Sequence, residues 1–127
     1  MAGNLSDYLE NELLDHFLGT TAYTMPTTVY VALYTVAPDD TGGGTQVTGG
    51  SYARQPATFA AASSGATSNS ANIDFTGMPA ATTVAIGIFD AITSGNLLLW
   101  GTLTTNKTTD AGDTLRIAKG DLDISID

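Results

Sequence analysis

Apolar residues recur at every fourth position near the start of the chain, within a stretch that otherwise carries acidic and amide side chains. The recurring positions are Leu5, Leu9, Leu13 and Phe17. This spacing places the four side chains on one face of an α-helix, and Leu14 and Leu18 widen that face. The pattern therefore predicts one amphipathic helix within residues 1–19.

Residues that commonly begin and end helices flank this stretch. Ser6 can accept a hydrogen bond from a free N–H group of the first turn, and Asp7 and Glu10 suit the positive end of the helix dipole. Gly19 can adopt the left-handed conformation that ends many helices. The apolar face needs a surface to cover it, and the sequence leaves three open: the chain's own sheet, a sister subunit or a larger assembly.

Short extended runs separated by turn residues make up the rest of the chain. The predicted strands span residues 28–35, 52–59, 72–75, 83–90, 97–103, 114–117 and 122–126. The first strand is apolar on both faces, which indicates a central strand, whereas Pro56 favours an edge or a bulge in the second. Loops or turns are predicted at 38–44, 60–71, 77–79, 93–96 and 107–113.

Strands of this number and length predict a mainly β protein. We expect a single antiparallel β-sandwich domain over residues 20–127, of jelly-roll or Greek-key type, preceded by the N-terminal α-helix. No internal repeat is visible in the sequence.

Charge and composition exclude several classes of function. The 127 residues carry 13 acidic and 4 basic side chains, which gives a formal net charge of −9. Nucleic acids and anionic membranes bind positive surfaces, so neither is an expected partner. No stretch has the roughly 18 apolar residues of a membrane span, and the N-terminus lacks the pattern of a signal peptide. The absence of cysteine excludes disulfides and thiolate metal sites.

Reactive groups are few. His16 is the lone histidine, and its place in the last helical turn already explains it, since a partly charged imidazole suits a helix C-terminus. No G-x-S-x-G elbow or phosphate-binding loop is present. Aspartates pair at 110 and 113 and at 121 and 123, but without the ligand spacing of a calcium loop. The sequence therefore predicts no enzyme, no cofactor and no metal site.

Trp100 has two interpretations. It follows an apolar run, Leu97–Leu99, which favours packing in the core. An exposed Trp100 at the end of the sandwich could instead stack on a glycan. The sequence does not decide between them.

Several segments together resemble a known family. The longest are Leu5–His16 (LSDYLENELLDH) and Thr28–Thr35 (TVYVALYT). Shorter ones are Gly50–Gln55 (GSYARQ), Gly87–Asp90 (GIFD), Gly95–Leu98 (GNLL) and Ala111–Leu115 (AGDTL). They resemble small virion proteins of tailed bacteriophages, commonly labelled phage tail fibre proteins. The resemblance covers nearly the whole chain, and it implies a place in the virion without implying a catalytic mechanism.

Two positions in the virion are compatible with this resemblance. A fibre needs reach, and the chain has no coiled-coil heptads or collagen-like period to supply it. Its size and architecture resemble the capsid decoration, or cement, proteins that form homotrimers and bridge major capsid subunits. The sequence therefore places capsid decoration narrowly ahead. The alternative is a tail-fibre or tail-associated protein that binds a host receptor or serves as an adaptor to tail proteins.

In either role, the predicted site residues are interface residues. They are Leu5, Tyr8, Leu9, Leu13, Leu14, Phe17 and Arg54. For the helical residues, packing on the chain's own sheet remains an equal alternative. For Arg54, whose planar guanidinium suits carboxylates, an ion pair within the chain is favoured over one across a subunit boundary.

Overall fold

Ten strands and one helix make up the part of the chain that the computed structural model describes, residues 4–126. In chain order they are β1 (Asn4–Leu5), α1 (Asp7–Phe17), β2 (Val29–Val36), β3 (Thr45–Gln46), β4 (Gln55–Ala57), β5 (Ala66–Ser68), β6 (Ile73–Met78), β7 (Ala81–Phe89), β8 (Leu97–Thr109), β9 (Asp113–Ile117) and β10 (Asp123–Ser125). All seven strand pairings are antiparallel. The predicted mainly β, antiparallel fold with one helix near the N-terminus is confirmed.

The larger sheet has six strands. Its spatial order is β1-β8-β7-β2-β3, and β4 also pairs with β2. Strand β2 has β7 on one side and β3 and β4 on the other, and four successive residues from Val31 to Tyr34 are buried. The central position predicted from its two apolar faces is therefore confirmed, as is the edge position of Pro56 in β4.

Two smaller sheets, β6-β9 and β5-β10, pack on one face of the larger sheet. The core between the two layers takes apolar side chains from both. Its buried members are Val31, Leu33, Val47, Ala57, Ile73, Phe75, Met78, Ile86, Ile88, Leu115, Leu122 and Ile124. The alternation of Leu122 and Ile124 with exposed aspartates produces the half-buried last strand that the sequence predicted.

A smaller apolar cluster lies on the opposite face of the larger sheet. Its buried members are Ala32, Tyr34, Ala85, Phe89 and Leu97. Gly87 leaves room for it, because a Cβ at that position would lie 2.9 Å from Leu97 and 3.0 Å from Tyr34. Gly87, the first residue of the segment 87–90 that resembles the phage proteins, is thus required for the packing of this face.

Ser6 fixes the beginning of α1 against β8. Its hydroxyl donates to the carbonyl of Leu97 and accepts from the N–H of Leu9 at 3.2 Å, while its own N–H donates to Leu98 at 2.9 Å. Gly19, with φ of +79°, follows Leu18, the C-cap residue of the helix. The predicted cap at Ser6 and the predicted end at Gly19 are confirmed. No helix within residues 4–126 is long and apolar enough to cross a membrane.

Replacing Ser6 by alanine should destabilise the protein by about 1 to 2 kcal/mol, because the helix loses its cap and Leu97 loses a buried partner. Thermal unfolding of S6A beside S70A, at an exposed serine, measures the difference. Equal melting temperatures for the two variants would remove the proposed role of Ser6.

The start of the predicted helix was wrong. Asn4 and Leu5 form β1, paired with Trp100 and Leu99, because the edge of β8 offers free backbone partners and the cap at Ser6 requires an extended backbone. The part of the predicted helix at residues 1–3 lies outside the described residues.

Strand β8 was predicted too short. It continues to Thr109, into the stretch predicted as a polar connection. Ala85 pairs with Thr102 and Thr83 with Lys107, so residues 103–106 form an extended bulge. Exposed threonine and asparagine side chains give this part of the strand no apolar alternation, which is why its pattern resembles a loop.

Two further predictions of irregular structure were wrong. The predicted loop at 60–71 contains β5, whose small polar side chains carry no strand pattern and which depends on pairing with β10. The predicted turn at 77–79 is wrong for Gly77 and Met78, which belong to β6, where Gly77 at φ of +60° lies in a register shift. Pro79 does lie in the short connection between β6 and β7. Strand β3, two residues long, was not predicted.

Candidate binding surfaces

The apolar face of α1 divides into a packed half and an exposed half. Leu9 is buried and Leu13 is half-buried where the helix lies against β8, and Leu5, which precedes the helix in β1, is also half-buried. Phe17, which the pattern placed on the same face, is exposed together with Leu14. The sheet therefore covers only the first turns of the helix.

The exposed half is an apolar surface at the end of α1. Leu14, Phe17 and Leu18 are 56%, 72% and 78% exposed. They stand three and four positions apart, so they are neighbours on one side of the helix. We call these three residues the helix-end patch. Three large apolar side chains that are exposed side by side are typical of a binding surface, whereas a surface without a partner exposes such residues singly.

Tyr8, in the first turn of α1, lies near Tyr23 and Asp90. Its side chain is 37% exposed. Burial of part of the ring, and then the negative charges of Glu12 and Asp90, raise the pKa of the Tyr8 hydroxyl. The phenol therefore stays neutral and available as a hydrogen-bond donor.

Arg54 binds groups of its own chain. One guanidinium nitrogen donates to the carbonyls of Ala91 and Ser94 at 3.0 and 2.7 Å, and another donates to Gln46 at 3.3 Å. The guanidinium carbon lies 3.6 Å from the centre of the Phe89 ring.

These contacts hold the turn between β7 and β8 over the smaller apolar cluster, to which Phe89 belongs. Burial lowers the pKa of Arg54. Within residues 4–126 the ion pair that the sequence favoured for Arg54 does not form, because carbonyl oxygens and an aromatic face take the place of a carboxylate. Its role at a subunit boundary stays a prediction.

Tyr52, two residues before Arg54, completes the hydrogen bonding of β2. Strands β3 and β4 pair with different parts of β2, and neither accepts a hydrogen bond from the N–H of Leu33. The Tyr52 hydroxyl accepts this hydrogen bond at 2.9 Å, while the Tyr52 ring stacks on Phe75. The GSYARQ segment is therefore structural in this fold.

Replacing Tyr52 by phenylalanine should cost about 1 to 3 kcal/mol, because the N–H of the fully buried Leu33 loses its partner while the stacked ring remains. Urea unfolding measures this cost. The matched change Tyr30→Phe, at a half-buried tyrosine of β2, should alter the free energy of unfolding by less than about 0.5 kcal/mol. Equal costs at both positions would contradict the assignment.

Trp100 is half-buried, so its exposure is intermediate between a core residue and a fully exposed one. It packs against the smaller apolar cluster, and its indole N–H donates to Asp40 at 2.9 Å. The carbonyl of Asp40 in turn accepts from the N–H of Asp7 at the start of α1. Trp100 therefore joins the loop before β3 to the helix, and stacking on a glycan stays untested.

Some of the carboxylates stabilise turns, and one forms an ion pair. Asp74 binds Arg116 with two hydrogen bonds, of 2.7 and 3.0 Å, which lower the pKa of Asp74. Asp113 accepts from the N–H of Asp110 at 2.7 Å within a turn. Within residues 4–126 no three histidine, aspartate or glutamate side chains lie close enough together to hold a metal ion.

Two open clefts lie on the described surface. One, of about 410 Å³, is bounded by the start of α1, the loop that contains Asp40 and the turn at Asn96. The other, of about 280 Å³, opens beside the β8 bulge and includes Lys107. Neither contains His16, whose Nδ1 accepts from the N–H of Tyr23 at 3.1 Å. The clefts described therefore offer no imidazole base beside a nucleophile.

The structure defines a small, mainly β, antiparallel protein with one amphipathic helix near its N-terminus, an excess of acidic side chains and several exposed apolar residues. The family model of the Podophage GP4 fiber I protein gp80 matches residues 4–125 of this chain. The chain belongs to this family, and it is a bacteriophage virion structural protein. A search of curated protein sequences finds no match to the chain.

Proposed function

We propose that the chain is a fibre component of the virion that acts by binding other proteins and carries out no catalysis. The observation that carries this proposal is the match to a family described as a phage fibre protein over nearly the full chain. Neither described cleft contains His16, the lone histidine of the chain, and this supports a role without catalysis.

The partners follow from the same proposal. Copies of the chain itself form a homotrimer, and tail proteins provide the attachment point on the particle. The net charge of −9 argues against nucleic acid and anionic membrane as partners. Assembly takes place in the host cytoplasm, before the particle is released.

Capsid decoration is the second candidate. It is supported by the short elements and two-layer core, since a fold of this kind supplies no length of its own. The same fold serves equally well as the globular part of a fibre, and the family description names a fibre. The order of the two candidates that the sequence suggested is therefore reversed.

Gold-labelled antibodies against the chain, imaged on purified particles, test the proposal. Gold at the tail or at fibres supports a fibre component. Gold distributed evenly over the head supports capsid decoration. Particles without label, whose disrupted form also lacks the chain, would contradict both positions.

A further inference from the structure

The helix-end patch, Leu14, Phe17 and Leu18, stands in an acidic environment. Helix α1 carries Asp7, Glu10, Glu12 and Asp15 against one basic residue, His16, whose ring packs edge-on against Phe17. No lysine or arginine precedes Arg54 in the chain. Glu10 lies one helical turn before Leu14, and Asp15 lies between Leu14 and Leu18 in the sequence. The patch is thus an apolar surface bordered by negative charge.

The remaining cations do not complement this surface. Arg54 is held by carbonyls and by the Phe89 ring, and Arg116 is bound by Asp74. Lys107 and Lys119 lie in a segment that also contains Asp110, Asp113 and Asp121. A second copy of the chain would therefore carry its own excess of negative charge and few free cations to offset Glu10 and Asp15.

We propose that the helix-end patch docks into an apolar groove, flanked by lysine or arginine side chains, on a different virion protein. An amphipathic helix with apolar side chains three and four positions apart is a common ligand for such grooves. Basic residues around the groove would complement Glu10 and Asp15 and would steer the encounter. This inference names the partner's chemistry and rests on the proposed virion role.

The geometry of α1 suits attachment. Its first turns are fixed to β8 through Ser6 and the buried Leu9, so the helix is a rigid extension of the sheet. The patch lies at the opposite end, in its last turn and just beyond it. A rigid helix presents a preformed surface, which lowers the entropic cost of binding.

Add-back to particles tests the proposal. Particles produced without this chain are mixed with purified wild-type chain or with the triple variant L14Q/F17Q/L18Q, and the chain that sediments with the particles is quantified. The variant should bind at least about tenfold more weakly, because anchors of this kind carry most of the energy of an interface. Unchanged binding of the folded variant would overturn the proposal.

A matched control uses apolar side chains of similar exposure elsewhere. Val36 and Ile126 are 57% and 54% exposed, against 56% for Leu14. The double variant V36Q/I126Q should bind the particles as the wild type does. Circular dichroism of both variants verifies the fold. An equal loss in the control would show that exposed apolar area in general drives adsorption and would overturn the assignment.

Neutralising the acids distinguishes the partner from a second copy. E10Q/D15N should bind the particles several-fold more weakly, and added salt should reduce the binding of the wild type more than that of this variant. If the variant binds more tightly, or if the purified chain self-associates through the patch, a second copy is the occupant and the proposal fails. Absence of the wild-type chain from native particles would instead refute the proposed function.

Discussion

Replacing Asn69 by alanine should destabilise the protein by about 3 to 5 kcal/mol, which lowers Tm by about 10 to 20 °C in a chain of this size. The side chain of Asn69 is 1% exposed and lies in the connection between β5 and β6. It is the most densely hydrogen-bonded side chain in the described part of the protein.

Four backbone groups form hydrogen bonds with the side chain of Asn69. Its amide nitrogen donates to the carbonyls of Ala71 and Ala118 at 2.9 and 3.0 Å. Its amide oxygen accepts from the N–H groups of Gly120 and Leu122 at 3.1 and 2.9 Å. Alanine would leave the buried Leu122 N–H and the carbonyls of Ala71 and Ala118 without this partner, whereas the Gly120 N–H keeps the backbone carbonyl of residue 69 at 3.0 Å. A buried group left unsatisfied costs about 1 to 3 kcal/mol.

Calorimetry of N69A measures the effect, with N106A at an exposed asparagine of the β8 bulge as the control. The control should change the free energy of unfolding by less than about 0.5 kcal/mol. A loss below about 1 kcal/mol for N69A would contradict the described network.

The variant N69D adds a pH test of the same network. One oxygen of a carboxylate there would keep the two N–H donors, but the other would face two carbonyl oxygens. We expect burial and this repulsion to outweigh the donors and to raise the pKa in the folded state above the unfolded value near 3.9. Its protonated form can still donate one hydrogen bond. The deficit of N69D relative to the wild type should therefore be smallest below about pH 4 and grow as the pH rises. A deficit independent of pH would contradict this assignment.

Replacing Gly50 by alanine should cost at least about 3 kcal/mol, the second large effect that the structure predicts. Gly50 has φ of +53°, and a Cβ there would lie 2.5 Å from the carbonyl oxygen of Gly77 and 3.0 Å from the nitrogen of Pro79. Both are backbone atoms, and the neighbouring Ser51 N–H donates to that same carbonyl at 2.8 Å. The clash cannot be relieved without breaking this contact.

Gly43 provides the matched control for G50A. It also has a positive φ, of +72°, but a Cβ at this position would meet nothing within 4 Å. G43A should therefore show only the conformational cost, about 1 to 2 kcal/mol. Equal melting temperatures for G43A and G50A would mean that the close approach of residues 50 and 77 is not rigid.

The strong periodicities were sufficient to predict the main architecture. The four-residue spacing of α1, its cap at Ser6 and its end at Gly19 are local features, and local features are what a sequence reveals most directly. The two apolar faces of β2 likewise predicted its central place in the sheet. Strands without a buried face were missed, because the second half of β8 and all of β5 exist through pairing rather than through side-chain pattern.

The interface residues were only partly predictable. Periodicity placed Leu9 and Phe17 on one face of the helix. It could not indicate that the sheet would cover Leu9 and leave Phe17 exposed. The contacts of Arg54 with Ala91 and of Asn69 with Leu122 join residues 37 and 53 positions apart, and only the folded backbone brings these groups together. For Asn69, the single available signal was an amide side chain within a small, polar stretch.

The copy number of the chain per particle tests the proposed function most directly. Quantitative mass spectrometry of purified virions, normalised to the major capsid protein, measures it. A fibre component predicts a small copy number in multiples of three or six, because fibres attach around a symmetric tail. Hundreds of copies would contradict this account and place the chain on the head as a decoration protein.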